Sequence, residues 1–149
     1  MKIYLASDHA GFKHKEALAQ TLSEMGHEVI DCGATSYDVD DDYPAFMRAA
    51  ALRVSKDSSA RAILFGGSGQ GEAMVANRIL GVRAAVYYGG SLDIIKLSRE
   101  HNDANILALG ARFLTIDESK NAVTLWLETL FSGDERHRRR IADIDNTSV

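Results

Sequence analysis

Five times along this chain a short apolar run breaks off into a turn and gives way to a stretch with helical spacing of its apolar residues. The runs lie at 2–6, 28–31, 61–65, 82–87 and 105–109, and the helical stretches at 12–25, about 44–55, 70–78, about 91–100 and about 117–131. Strands of this length alternating with helices cannot pair as hairpins, so each must cross over to a parallel neighbour and have both faces covered. The expected fold is therefore α/β: a three-layer sandwich with a five-stranded parallel, Rossmann-like sheet in one domain spanning 1–149. Local signals agree, since Gly26 stops the first helix and the single proline, Pro44, suits the first turn of the second. An extra C-terminal helix, about 134–145, has no sheet position to fill, and such a helix often packs on a partner subunit.

Ligands of open parallel sheets bind beyond the carboxyl ends of the strands. The segments to read for chemistry are thus Asp8-His9, the loop Gly66-Gly67-Ser68-Gly69-Gln70-Gly71-Glu72, Tyr87 to Gly90, and Gly110 to Arg112. Four glycines in seven residues let backbone N–H groups approach an anion at the start of a helix. A tight strand-to-helix turn, with Glu72 favoured by the helix dipole, is the competing local explanation. The dinucleotide pattern G-x-G-x-x-G begun at Gly67 needs glycine at position 72, and the nucleoside-triphosphate pattern begun at Gly66 needs lysine there. Both fail at Glu72. A carboxylate at that place repels a polyphosphate but can take a proton from a carbon acid.

Composition narrows the class further. A net charge of −4 argues against a nucleic-acid binder, which needs a broad cationic face. Instead the positive charge gathers late in the chain, at Arg136, Arg138, Arg139 and Arg140. One cysteine, Cys32, read as a small core residue, can form no internal disulfide and no metal cluster. No apolar run is long enough for a membrane span or secretory signal, so a cytosolic location without membrane or metal is the expectation.

Separated segments then fall into one pattern: Ser7-Asp8-His9-Ala10-Gly11, Asp42-Tyr43-Pro44, Gly67 to Gly71 with Ala76-Asn77-Arg78, and Glu100-His101-Asn102 followed by Gly110-Ala111-Arg112. In that order they resemble the ribose-5-phosphate isomerase B and galactose-6-phosphate isomerase family over nearly the whole chain, ending with Arg136-His137 and Arg140. The resemblance implies an aldose-ketose isomerase of a sugar phosphate, most simply ribose 5-phosphate to ribulose 5-phosphate. It works without metal or cofactor through an enediolate, as a homodimer or homotetramer with the active site at the subunit interface. Many members carry a catalytic cysteine just before the G-[ST]-G segment. Here Gly66 stands there, and Glu72 fits a subgroup that uses glutamate across the loop as base.

By the same resemblance, His101 opens the sugar ring with Asn102 on a hydroxyl, Asp8 acts on hydroxyls or in ring opening, and His9 lies near the substrate. Arg112, Arg136 and Arg140 match the phosphate-binding arginines, whose planar guanidinium suits an anion. Gly67, Gly69 and Gly71, together with Ser68, are expected to surround the enediolate oxygens. Each residue has a plain structural alternative: Ser68 as a turn hydroxyl, Asp8 as a helix cap, His101 as a polar cap, Tyr43 as packing beside Pro44 rather than a wall of the sugar pocket. His137 matches the family without a settled role. The stretch from Arg83 to His101 is about two residues longer than the family spacing, around Tyr87 to Ser91, which leaves a tetrose, another pentose or a hexose phosphate open as substrate. A non-catalytic sugar-phosphate-binding subunit, alone or in a mixed oligomer, is the remaining alternative.

Overall fold

The computed structural model describes residues 1–146. Its elements, in chain order, are β1 (Lys2–Ser7), α1 (Phe12–Glu24), β2 (Glu28–Asp31), α2 (Tyr43–Val54), β3 (Arg61–Gly66), α3 (Gln70–Ala76), β4 (Ala84–Tyr87), α4 (Asp93–Glu100), β5 (Ile106–Gly110), α5 (Ile116–Glu128) and α6 (Glu135–Ile144). All strand pairs are parallel and the sheet order is β2-β1-β3-β5-β4. The expected three-layer α/β sandwich, with an appended C-terminal helix, is the fold observed.

Alternation along the central strands sorts their side chains into two unlike faces. Ile3, Leu5, Ile63, Phe65, Leu107 and Leu109 meet Leu18, Leu22, Ile95, Val123 and Trp126 of α1, α4 and α5. On the other face Tyr4, Ala6, Ala62, Leu64 and Ala108 meet Met47, Ala50, Ala51, Ala73 and Ala76 of α2 and α3. Alanine on both sides of this second layer lets the two helices lie close to the sheet. Their first turns, bearing Tyr43 and Glu72, are thereby brought over the carboxyl ends of β1 and β3.

Boundaries differ from expectation where side chains replace backbone partners. Helix α3 stops at Ala76 because Asn77 turns its amide onto the backbone of Ala84, accepting from its N–H at 2.8 Å and donating to its carbonyl at 3.0 Å. The same bracket delays β4 to Ala84, leaving Val82 and Arg83 in the turn. Cys32 is a correction: it is half-buried at the edge of the second layer, where Arg53 Nη1 donates to its sulfur at 3.4 Å and burial pushes the thiol up.

Candidate active site

β1 and β3 are neighbours whose chains leave in opposite directions across the sheet, and the loops beyond them frame a cavity of about 370 Å³. Asp8, Tyr43, Gly67, Ser68, Gly71, Glu72, Arg112 and Phe113 line it. Each is delivered by a local device. Asp8 closes the turn after β1 by accepting from the N–H of Gly11 at 3.1 Å, so its structural role is real, and it is only 8% exposed. Gly69 enters α3 with φ of 77°, a conformation that favours glycine, with its α-carbon packed against the backbone of Ala108 and Leu109. The β3 and β5 loops are tied together by Ala111 N–H to Gly66 C=O at 2.8 Å and Arg112 N–H to Gly67 C=O at 3.2 Å. Tyr43 reaches over from α2, its hydroxyl against the face of Gly71, and the Arg112 guanidinium lies against Gly67.

Glu72 is 4% exposed although it is ionisable. Its carboxylate fills the space that a side chain on Gly66 would need, so a β-carbon there would overlap its oxygens. Burial pushes the Glu72 carboxyl above the ordinary range, and the neighbouring Asp8 charge adds to this. The backbone amides of Glu72 and Gly69 pull the other way. Desolvation of this carboxyl is thus present in the fold itself, with no substrate bound. The Ser68 hydroxyl accepts from Gln70 N–H at 3.3 Å, the turn geometry open to it from sequence, yet it also faces the cavity beside Glu72.

Next to this cavity, sharing Arg112, is a second of about 420 Å³ lined by His9, Ala10, Lys13, His14, Tyr37, Arg112 and Ile116. Lys13 and His14 were not signalled by the sequence, because helical charges usually mark only a solvated face. His14 also anchors the α1 side of the site, its Nε2 lying 2.9 Å from the Leu114 carbonyl. Asp41, likewise unsignalled within the run Asp40-Asp41-Asp42, meets His9 at 2.7 Å.

The remaining expected residues lie elsewhere. Because α4 runs back against the strands, its final turn sets His101 and Asn102 at the amino edge of the sheet, where Arg83 Nε donates to the Asn102 carbonyl at 3.0 Å. Strands of five or six residues rising about 3.3 Å each put that edge roughly 15 Å from Glu72. The His101 ring lies tilted against that of His137, ring centres 4.3 Å apart and planes at 57°, and His137 is held on Glu100 C=O at 3.3 Å and Ser132 Oγ at 3.2 Å. Helix α6 carries Arg136 and Arg140 on its exposed side and is pinned at its far end by the Asp145 carboxylate, which accepts from Gly81 N–H at 2.8 Å. Arg138 turns back onto Gly133 C=O at 2.7 Å and Phe131, away from any anion. The candidate residues thus fall into two groups at opposite ends of the sheet: Asp8, His9, Tyr43, Ser68, Glu72 and Arg112 at one end, His101, Asn102, His137, Arg136 and Arg140 at the other. Among the described residues no cluster of His, Cys, Asp or Glu is arranged to hold a metal ion, and no helix is long and apolar enough to cross a membrane.

Comparison with known proteins identifies the family. The family model described as Ribose/Galactose Isomerase matches residues 3–144. Ribose-5-phosphate isomerase B of Mycobacterium tuberculosis is 44% identical over 141 residues, covering 95% of this chain and 86% of that protein. Among solved structures, ribose-5-phosphate isomerase B of Mycoplasma genitalium with bound ribulose-5-phosphate superposes with a TM-score of 0.91 at 38% identity, covering 96% of this chain and 93% of that one. The Clostridium thermocellum ribose-5-phosphate isomerase B gives a TM-score of 0.90 at 40% identity, covering 97% and 95%.

Proposed function

This chain belongs to the ribose/galactose isomerase family, and from that premise we propose that it interconverts ribose 5-phosphate and ribulose 5-phosphate, an aldose-ketose isomerisation, with Glu72 as the base. The relatives named for this reaction, and the ribulose-5-phosphate held by the Mycoplasma genitalium protein, support the substrate. The observation that carries the base is the placement of the Glu72 carboxylate: buried at the strand ends, in the very space a residue-66 side chain would need.

In the open-chain aldose Glu72 takes the proton from C2, and the electron pair moves to make the C1–C2 double bond of the enediolate. The carbonyl pair moves onto O1, which takes over the proton of the C2 hydroxyl; O2 then re-forms a carbonyl as the C1–C2 pair takes the proton back from Glu72 at C1. A carboxyl whose affinity for a proton is raised by burial is better suited to both taking and returning it. The Ser68 hydroxyl and the loop N–H groups face the oxygens where charge develops. Arg112, at the junction of the two cavities, directs the phosphate toward His9 and away from the anionic base.

Ring opening needs an acid near the ring oxygen, and in this reading it comes from His101 of a second copy, with Asn102, Arg136 and Arg140 completing the hydroxyl and phosphate contacts. A two-fold homodimer with antiparallel subunits would bring the carboxyl end of each sheet to the amino edge of the other, completing both sites at once. The cavity of about 590 Å³ between α3 and edge strand β4, bordered by exposed Met74 and Tyr88, offers apolar surface for such a contact. A phosphorylated sugar as substrate suits a cytoplasmic enzyme.

A sugar of different length is the second reading, favoured by Phe113 in the cavity wall, which packs on Tyr88 of the long segment at 5.9 Å between ring centres. A panel of four-, five- and six-carbon sugar phosphates followed by NMR in deuterated water separates the two. Glu72→Gln is expected to lower turnover about 10²- to 10⁴-fold with KM little changed. Near-normal turnover would remove Glu72 as the base.

A further inference from the structure

Asp41 sits in the acidic loop that leads into α2, and its Oδ1 receives two hydrogen bonds from one residue. The His9 backbone N–H donates at 3.2 Å and the His9 ring meets it through Nδ1 at 2.7 Å. The Asp41 side chain is 6% exposed, and its Oδ2 is buried with no hydrogen-bond partner. A carboxylate withdrawn from water with one oxygen bare is costly unless a positive charge lies against it. Among the described residues the one ion pair open to Asp41 is with the His9 ring. That ring, 27% exposed, borders the cavity shared with Arg112, and engagement of Nδ1 leaves Nε2 as the nitrogen a ligand can meet.

We propose that Asp41 is a positioning residue for substrate binding, holding His9 by Nδ1 so that the ring stands as a fixed imidazolium whose Nε2–H meets the substrate phosphate. The proposal rests on the reading that the phosphate lies at His9 and Arg112. The groups that bear on its state are Asp41 from the acidic loop, Asp8 from the β1 turn and Arg112 from the β5 turn, while Lys13 and His14 of α1 line the same cavity and the Tyr37 ring stands edge-on at 6.4 Å. The hydrogen bond to Asp41 raises His9 above the usual imidazole value; partial burial opposes it, the Asp8 and Asp41 charges assist, and Arg112 opposes. The consequence has a definite sign. Below the ordinary imidazole value His9 is cationic with or without Asp41, whereas above it only the paired ring keeps its charge.

Asp41→Asn retains an oxygen to accept from Nδ1–H and removes the negative charge, so it separates charge from shape. Two measurements on the same sample test it. KM and kcat for ribose 5-phosphate are followed from about pH 5.5 to 9, and the His9 Cε1–H signal is titrated by NMR in the substrate-free protein. Expected are a KM raised about tenfold near pH 7.5 and converging on the native value near pH 5.5, kcat within about twofold throughout, and a His9 titration displaced to lower pH. An unchanged His9 titration, or a KM raised equally at every pH, overturns the proposal. His9→Asn is the control for the underlying reading. If it leaves KM unchanged, the phosphate does not lie at His9 and the proposal falls with that placement. If it raises KM while Asp41→Asn does not, the proposal alone is overturned.

Discussion

Glu72 pays for its place in the site with stability. Its pKa in the folded protein lies above the unfolded value of 4.5, so the sign runs against the usual carboxylate. Below that unfolded value the group is protonated in both states and costs nothing; as pH rises through the folded pKa the ionised, buried form increasingly disfavours the fold. The Glu72→Gln protein, slow as it is expected to be, should therefore melt at or above the native temperature at pH 8 and lose that advantage near pH 4. Thermal melts at the two pH values check this, and a Glu72→Gln variant less stable than the native protein at pH 8 would contradict it. The chemical character of Glu72 was legible in the sequence, because one residue breaks two phosphate-binding patterns at once. Its burial was not, since the groups that exclude water come from α2, from the β1 turn and from Gly66, which are distant from one another along the chain.

Helices, more than strands, set the precision of the site. The order of strands and helices could be read from periodicity, since each central strand is apolar on both faces and each helix on one side. What periodicity leaves out are junctions made by single side chains: Asn77 on Ala84, and Asp103, at φ of 43°, joining Arg83 at 3.0 Å to Arg99 at 2.8 Å beneath His101. The Asp41 contact escapes for the same reason, three consecutive aspartates giving no sign of which one turns inward. Helix α5 has the best-defined start of the described helices. Thr115 accepts from Glu118 N–H at 3.1 Å while Glu118 accepts from Thr115 N–H at 2.7 Å, three residues beyond Arg112. Thr115→Ala is expected to cost about 1 kcal/mol, lowering the melting temperature by roughly 3 °C. Calorimetry measures the shift. A change under about half a degree would mean that the cap adds nothing to the fold.

At the scale of the whole molecule the direction of α4 matters most. A helix that follows a strand must return to the start of the next, so its last residues come out at the sheet edge opposite the loops, and that alone separates His101 from Glu72. The family resemblance supplied the residues as a linear series; only the folded path divides them into two groups. If a second copy completes the site, two inactive proteins should repair one another. Mixed and allowed to exchange subunits, Glu72→Gln and His101→Ala chains form heterodimers with one doubly damaged site and one intact site, so about a quarter of native activity is expected from an equal mixture. Activity staying at the sum of the two separate variants, once exchange is shown by mass spectrometry, would place the whole reaction within one chain.

The overlap between the Glu72 carboxylate and the vacant side of Gly66 has a consequence for the protein's history. A side chain at position 66 would overlap the Glu72 carboxyl where it now stands, so a cysteine there requires the Glu72 arm to swing aside. On the proposed reading of Glu72 as base, a single Gly66→Cys change therefore both supplies a thiol and moves the carboxylate, so that the two catalytic designs are joined through one coupled step at a pair of neighbouring positions in space.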